Sequence, residues 1–201
     1  MTSRIKLLDT NSTKCFNIKT KPKEAINMKE TTIYAKYNQA GNKTIFNILS
    51  AMSNEEREID RGSYYGSLSG LLRHILGGTK FFLGMYKGAL AEGAAFKAVS
   101  AADGVPFPAE GALSESQWKE LGAALEAVDA AYINMAEALT ETDMSRPVKI
   151  DWYGGNPASV PLSFMLSQLV VHNTHHRGQI SQILDSLKID NDYSGIGAEF
   201  L

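Results

Sequence analysis

One cysteine, Cys15, in 201 residues leaves no partner for an intramolecular disulfide. That fits a reducing compartment, and thiol chemistry in the core would need a sulfur from outside it. The N-terminus lacks the apolar run of a signal peptide, and nowhere do 18 or more apolar residues follow one another. A cytoplasmic protein with no membrane partner is therefore expected. Charge of one sign is also lacking: 20 Lys and Arg stand against 22 Asp and Glu, with a pI near 6.1. Phosphate backbones are usually met by clustered cations, so no nucleic-acid partner is expected. Histidine is scarce as well, with four in the chain. Three of them, His172, His175 and His176, fall within five consecutive residues, a clustering that asks for a chemical reason. Metal binding is the obvious one.

An apolar content of 44% with 21% charged residues is that of an ordinary globular domain, and the length suits one domain with a full core. Residues 1–29 differ from the rest, with seven Lys and Arg against Asp9 and Glu24 and no sustained apolar period. They read as a flexible basic N-terminal extension to a domain over 30–201, with Met28 a candidate start of the domain proper.

From Thr31 to Met52 the residues Ile33, Tyr34, Tyr37, Ile45, Ile48, Leu49 and Met52 recur at three-and-four spacing, the period of a helix face. Ser53-Asn54-Glu55-Glu56 is expected to end that helix, and Ser67 to cap a second one running from Leu68 to Tyr86 or Lys87. Gly77 and Gly78 inside it cost about 1 kcal/mol each against Ala. Their presence suggests that another backbone or a ligand comes close. Residues 89–113, rich in Gly, Ala and Pro, read as a long crossover with a short helical turn. Ser114-Glu115-Ser116-Gln117 has the spacing of a capping box and opens a third helix reaching Leu139.

Val148, Ile150 and Trp152 alternate with Lys149 and Asp151, the period of a half-buried strand. With a turn at Gly154-Gly155-Asn156-Pro157 and a second piece over Ala158 to Val160, they predict a small β-hairpin. A fourth helix follows from Pro161 to Leu187, with an inward stripe of Leu162, Met165, Leu169, His172, His176, Gln179 and Ile183. The fold class expected is all-α: a four-helix bundle with a hairpin before its last helix.

His172 and His176, at i and i+4, project from nearly the same helical face and can offer nitrogens to one ion. His74 lies in another amphipathic helix, so two neighbouring helices could supply three ligands, although on its own segment a satisfied core or boundary histidine is the more ordinary reading of His74. His175 is rotated by about 60° from His172 and about 100° from His176, which puts it at the rim of the site or behind the ligands, or makes it a plain solvent or interface histidine. Arg177 is a candidate for substrate contact, or for a salt bridge at the surface or an interface.

His172-Asn173-Thr174-His175-His176-Arg177-Gly178-Gln179-Ile180 resembles the C-terminal signature of the DinB/YfiT-like superfamily, and Ser69 to Gly78 resembles its second-helix segment. The similarity covers about residues 30 to 195. It departs from some relatives at Thr79, where an acidic residue is common, and at Phe81-Phe82, where a tryptophan often occurs. The resemblance implies an up-down-down-up bundle with His74, His172 and His176 as ligands of a divalent metal, zinc or nickel.

It also implies metal-dependent transfer of a low-molecular-weight thiol to a small-molecule electrophile, or thiol-dependent isomerisation. The thiol would be a cosubstrate such as bacillithiol, mycothiol or glutathione. His175 and Arg177 are then the weaker candidates for catalytic contact. Two alternatives stand beside this transferase. A metal-dependent hydrolase would lack an HExxH-type glutamate, because Asn173 follows His172. A non-enzymatic, metal-stabilised stress-response bundle would work as a homodimer, with Gly77, Gly78, Gly122, Ala123 and Ala124 permitting close packing.

Overall fold

The computed structural model describes residues 28–108, 110–151, 158–197 and 200. The basic extension as far as residue 27, Cys15 in it, Trp152 and the expected turn at 154–157 lie outside them. Among the described residues the chain is mostly helical, with seven helices and one two-stranded sheet. No described helix is long and apolar enough to cross a membrane.

Helix α1, Met28–Ser50, buries Ala35, Asn38, Asn42, Ile45 and Leu49 in strict three-and-four alternation. The inward face thus runs through two asparagines. Tyr34, expected on that face, is 42% exposed. The polar stretch after α1 does not simply end it: Ser53 and Glu56 form a reciprocal capping box that opens a short helix, α2, Asn54–Glu58. Buried Arg57 then donates to the carbonyl of Leu49 in the last turn of α1 and to that of Met52 just beyond it, and its guanidinium lies 4.4 Å over the Trp118 ring.

Ser67 accepts from Gly70 N and caps α3, Leu68–Leu90, about one turn longer than expected. The loop before it sits close because Gly70 has no side chain: a Cβ there would stand 2.1 Å from Tyr65 O. The crossover carries a two-turn helix, α4, Gly93–Ser100, and is tied to α3 by Lys80 donating to the carbonyls of Ala102 and Val105 and by a Lys87–Asp103 ion pair. Phe107 lies against Gly77.

Helix α5, Glu115–Ala138, opens on the expected Ser114/Gln117 box. It packs on α1 with the Phe46 ring over Gly122, at a spot where any Cβ would clash at 2.2 Å. Thr140 and Asp143 form another capping box at a one-turn helix, α6, Glu141–Met144. Strands β1, Pro147–Ile150, and β2, Ala158–Pro161, pair antiparallel with Val148 opposite Val160 and Ile150 opposite Ala158. Val148 and Ile150 point into the core and Lys149 out, as the alternation predicts.

Leu162 N donates to Arg146 O, so the hairpin feeds directly into α7, Leu162–Ser186. The deepest positions of α7 are Leu162, Met165, Leu166 and Leu169, then Asn173, His176, Arg177, Ile180 and Leu184. In its second half the stripe is therefore rotated by about one residue from the expected His172, Gln179 and Ile183. That rotation moves His172 to the margin between α7 and α3.

Candidate metal centre

Helices α3 and α7 pack through Gly78 and Tyr86. The Tyr86 hydroxyl donates to Met165 O at 2.6 Å, and the His172 ring rests on Gly78, where a Cβ would stand 2.2 Å from its Cε1. The close approach that Gly77 and Gly78 suggested is thus made by two side chains, Phe107 and His172. With the helices this near, His74 on α3 meets His172 and His176 on α7, and one ring nitrogen from each lies within 4.8 Å of the others. His74 Nε2 and His172 Nε2 are 3.1 Å apart. That is compatible with both standing about 2.0–2.1 Å from one shared ion.

The remaining ring nitrogens explain the convergence. His172 Nδ1 lies 3.0 Å from Asn173 Oδ1, and His176 Nδ1 lies 2.8 Å from Gln179 Oε1. An amide oxygen only accepts, so each Nδ1 carries the proton and each Nε2 keeps its lone pair for the site. This is the outer hydrogen bonding that metal-binding histidines usually have. His74 is held differently: its ring stacks on Tyr65 at 3.7 Å between centroids, and Tyr65 also meets His176 edge-on.

Protonation would block these lone pairs, and the surroundings oppose it. Burial, then the neighbouring His176 and His172, push the His74 imidazole down to about 4. Burial lowers His172 and His176 as well, against the opposing pull of their amide partners. All three are neutral at pH 7, the form in which imidazole binds a metal. The donor set is three neutral nitrogens, with no carboxylate or thiolate joining them among the described residues. Such a set suits zinc or another late divalent ion and leaves coordination positions open.

The other two expected site residues lie elsewhere. His175 is exposed and touches His176 ring edge to face. Arg177 does not reach the surface or the site: it is 2% exposed and donates to Asn38, Asn42 and Thr174 on the far side of α7. Gly41 makes room for it, with a Cβ position only 3.2 Å from its Nε. Reading Arg177 as a surface or interface ion pair was wrong because the stripe of α7 rotates inward just there. Tyr65 and Asn173 escaped the sequence reading. Tyr65 lies in an irregular loop with no periodicity to follow, whereas the polar Asn173 directly after a candidate ligand was a usable signal.

The sequence profile of the DinB family matches residues 28–187, which span every described helix. This chain belongs to the DinB family. No curated protein matches it. The three clustered imidazoles of this DinB-family protein lie wholly inside the matched region, 98 residues apart at the His74–His172 contact.

Proposed function

We propose that this DinB-family protein binds a divalent ion, zinc or nickel, through His74, His172 and His176, and transfers a low-molecular-weight thiol to a small-molecule electrophile. The observation that carries the proposal is the donor set: three neutral imidazoles from two helices, with no further His, Cys, Asp or Glu completing it among the described residues. A closed structural zinc site usually has four protein ligands, and three with open positions is the catalytic pattern. A bound divalent ion would supply Lewis acidity that makes a thiol easier to deprotonate at neutral pH. With no sulfur in the donor set among the described residues, the proposal takes that thiol as a cosubstrate.

The residues around the centre fit this division of labour. Asn173 and Gln179 orient two imidazoles, and Tyr65 walls the third. Phe81 and Met85 follow His74 by seven and eleven residues, on the same face of α3. With Lys149, Ile150, Asp151, Ala158 and Ser159 at the hairpin they line an open cavity of about 700 Å³.

The hydrolase reading is weaker. It needs a base beside the attacking water, and the residue after His172 is Asn173, whose carboxamide cannot serve as one. For the non-enzymatic dimer, Gly77, Gly78 and Gly122 are already filled by Phe107, His172 and Phe46 of the same chain.

The helix pairing supports an up-down-down-up bundle for the four long helices. Asn38 with Asp129 and Phe46 with Gly122 set α1 against α5 in opposite directions. Gly78 with His172 and Tyr86 with Met165 do the same for α3 and α7, and Asn38 with Asn173 and Asn42 with Arg177 run α1 alongside α7.

The test is turnover by zinc- or nickel-loaded protein given an electrophile with bacillithiol, mycothiol or glutathione, beside ester and amide panels without thiol. Thiol-dependent consumption of the electrophile is expected. Hydrolysis of the panels independent of any thiol would overturn the transferase reading.

A further inference from the structure

The two amides facing the centre are held unequally. Gln179 hydrogen-bonds only to His176 among the described residues, whereas Asn173 is gripped on every side. Behind it lies a polar cluster that crosses the core: Thr79, Asn38, Asn42, Asp129 and Arg177, each no more than 2% exposed. Polar groups this deeply buried are hydrogen-bonded, so each donor is matched to an acceptor.

The Arg177 guanidinium fixes the polarity. Asp129 takes the Nδ2 groups of Asn38 (2.9 Å) and Asn42 (3.0 and 3.2 Å) on its carboxyl oxygens. The Arg177 guanidinium only donates, and gives to Asn38 Oδ1 at 2.8 Å and Asn42 Oδ1 at 3.3 Å. Asn38 is thus oriented from both ends. Its Oδ1 must also receive Asn173 Nδ2, at 3.0 Å. Thr79 imposes the same choice independently: its hydroxyl proton goes to Ile75 O at 2.8 Å, so its oxygen can only accept from Asn173 Nδ2, at 2.9 Å. With the amide nitrogen of Asn173 committed twice, its oxygen has one direction left, toward His172 Nδ1.

We propose that Asn173 is a positioning residue that locks His172 in the Nδ1–H tautomer, and that the buried Thr79–Asn38–Asp129–Arg177 cluster sets the polarity of its carboxamide. A reversed amide would present N–H to Nδ1, move the imidazole proton to Nε2 and put it in the middle of the three-histidine centre. The consequence for metal affinity rests on the proposed metal site. The tautomer does not.

Long-range 1H–15N correlation spectra of the metal-free full chain report which nitrogen of each imidazole carries the proton. A zinc titration against a chromophoric chelator reports affinity. In wild type His172 carries its proton on Nδ1. Asn173→Leu, of similar shape but with no acceptor, gives a population protonated on Nε2 and binds zinc about 10- to 100-fold more weakly. Asn173→Asp keeps an acceptor and retains Nδ1–H, an outcome that loss of packing alone would not produce. Should Asn173→Leu not fold, Asn173→Ser, too short to reach the imidazole, carries the same expectation. An Nε2–H tautomer in wild type, or an unaltered tautomer in the folded variant, would overturn the proposal. A protein with His172 as Nδ1–H that takes up no zinc would leave this inference intact and remove the metal reading instead.

Discussion

The imidazole of His172 rests on the backbone of Gly78, at a place where a methyl group would stand 2.2 Å from its Cε1 and 3.0 Å from its Nε2. The glycine therefore fixes where His172 can be, and through it the distance to His74.

Gly78→Ala tests that relationship. Alanine favours the helix by about 1 kcal/mol, while the clash costs about 1–3 kcal/mol as overpacking. The net loss of stability is at most about 2 kcal/mol. Zinc affinity falls at least about tenfold, because the displaced ring takes one donor with it. Thermal unfolding of the metal-free variant beside a zinc titration separates the two effects, and unchanged affinity would count against the close packing of His172.

Acid should weaken both fold and site. The His74 imidazole is held down to about 4 from an ordinary 6.5. Between those values the unfolded chain binds more protons than the folded one, so stability present above pH 6.5 is lost as pH falls toward 4. His172 and His176 are lowered and act in the same direction. Asp129 opposes them: burial raises its carboxyl to about 7, so its contribution is full below 3.8 and is lost as pH rises through 7. The histidine part is isolated by comparing the melting temperature of wild type with that of His74→Ala from pH 7 to 4. The wild type should lose more on acidification, and bound zinc should leave over the same range. Parallel curves for the two proteins would contradict the lowered imidazole.

Arg177→Met should unfold easily. It strips the charge from a guanidinium that serves Asn38, Asn42 and Thr174 and lies 5.0 Å over the Tyr37 ring, and it leaves Asp129 without its buried counter-charge. The expected cost is about 3–5 kcal/mol, read by denaturant unfolding. Arg177→Lys should recover only part, since an ammonium cannot reproduce the fork. A variant of wild-type stability with altered substrate KM would restore Arg177 as a substrate contact.

Much of the fold was legible because its long helices obey the three-and-four rule, and the i, i+4 pair His172 and His176 with His74 could be read the same way. What escaped has physical reasons. The inward face of α1 passes through Asn38 and Asn42, so a search for apolar periodicity slides onto Tyr34, which is exposed. The same buried polar cluster hides Arg177, because a charged residue is assigned to the surface unless its partners are known, and those partners lie 135 and more residues away. Tyr65 is brought to His74 by a loop that turns on Gly62 and Gly66, both at positive φ, and no sequence period reports that. The short helices α2 and α6 did carry a signal, Ser53 with Glu56 and Thr140 with Asp143, spaced as capping boxes.

The central claim is that His74, His172 and His176 together hold one divalent ion. Elemental analysis of the purified full chain after zinc or nickel loading and desalting, beside the triple variant His74→Ala, His172→Ala, His176→Ala, tests it most directly. The account predicts close to one equivalent of metal per wild-type chain and almost none in the folded variant. Equal metal content in the two proteins would contradict it.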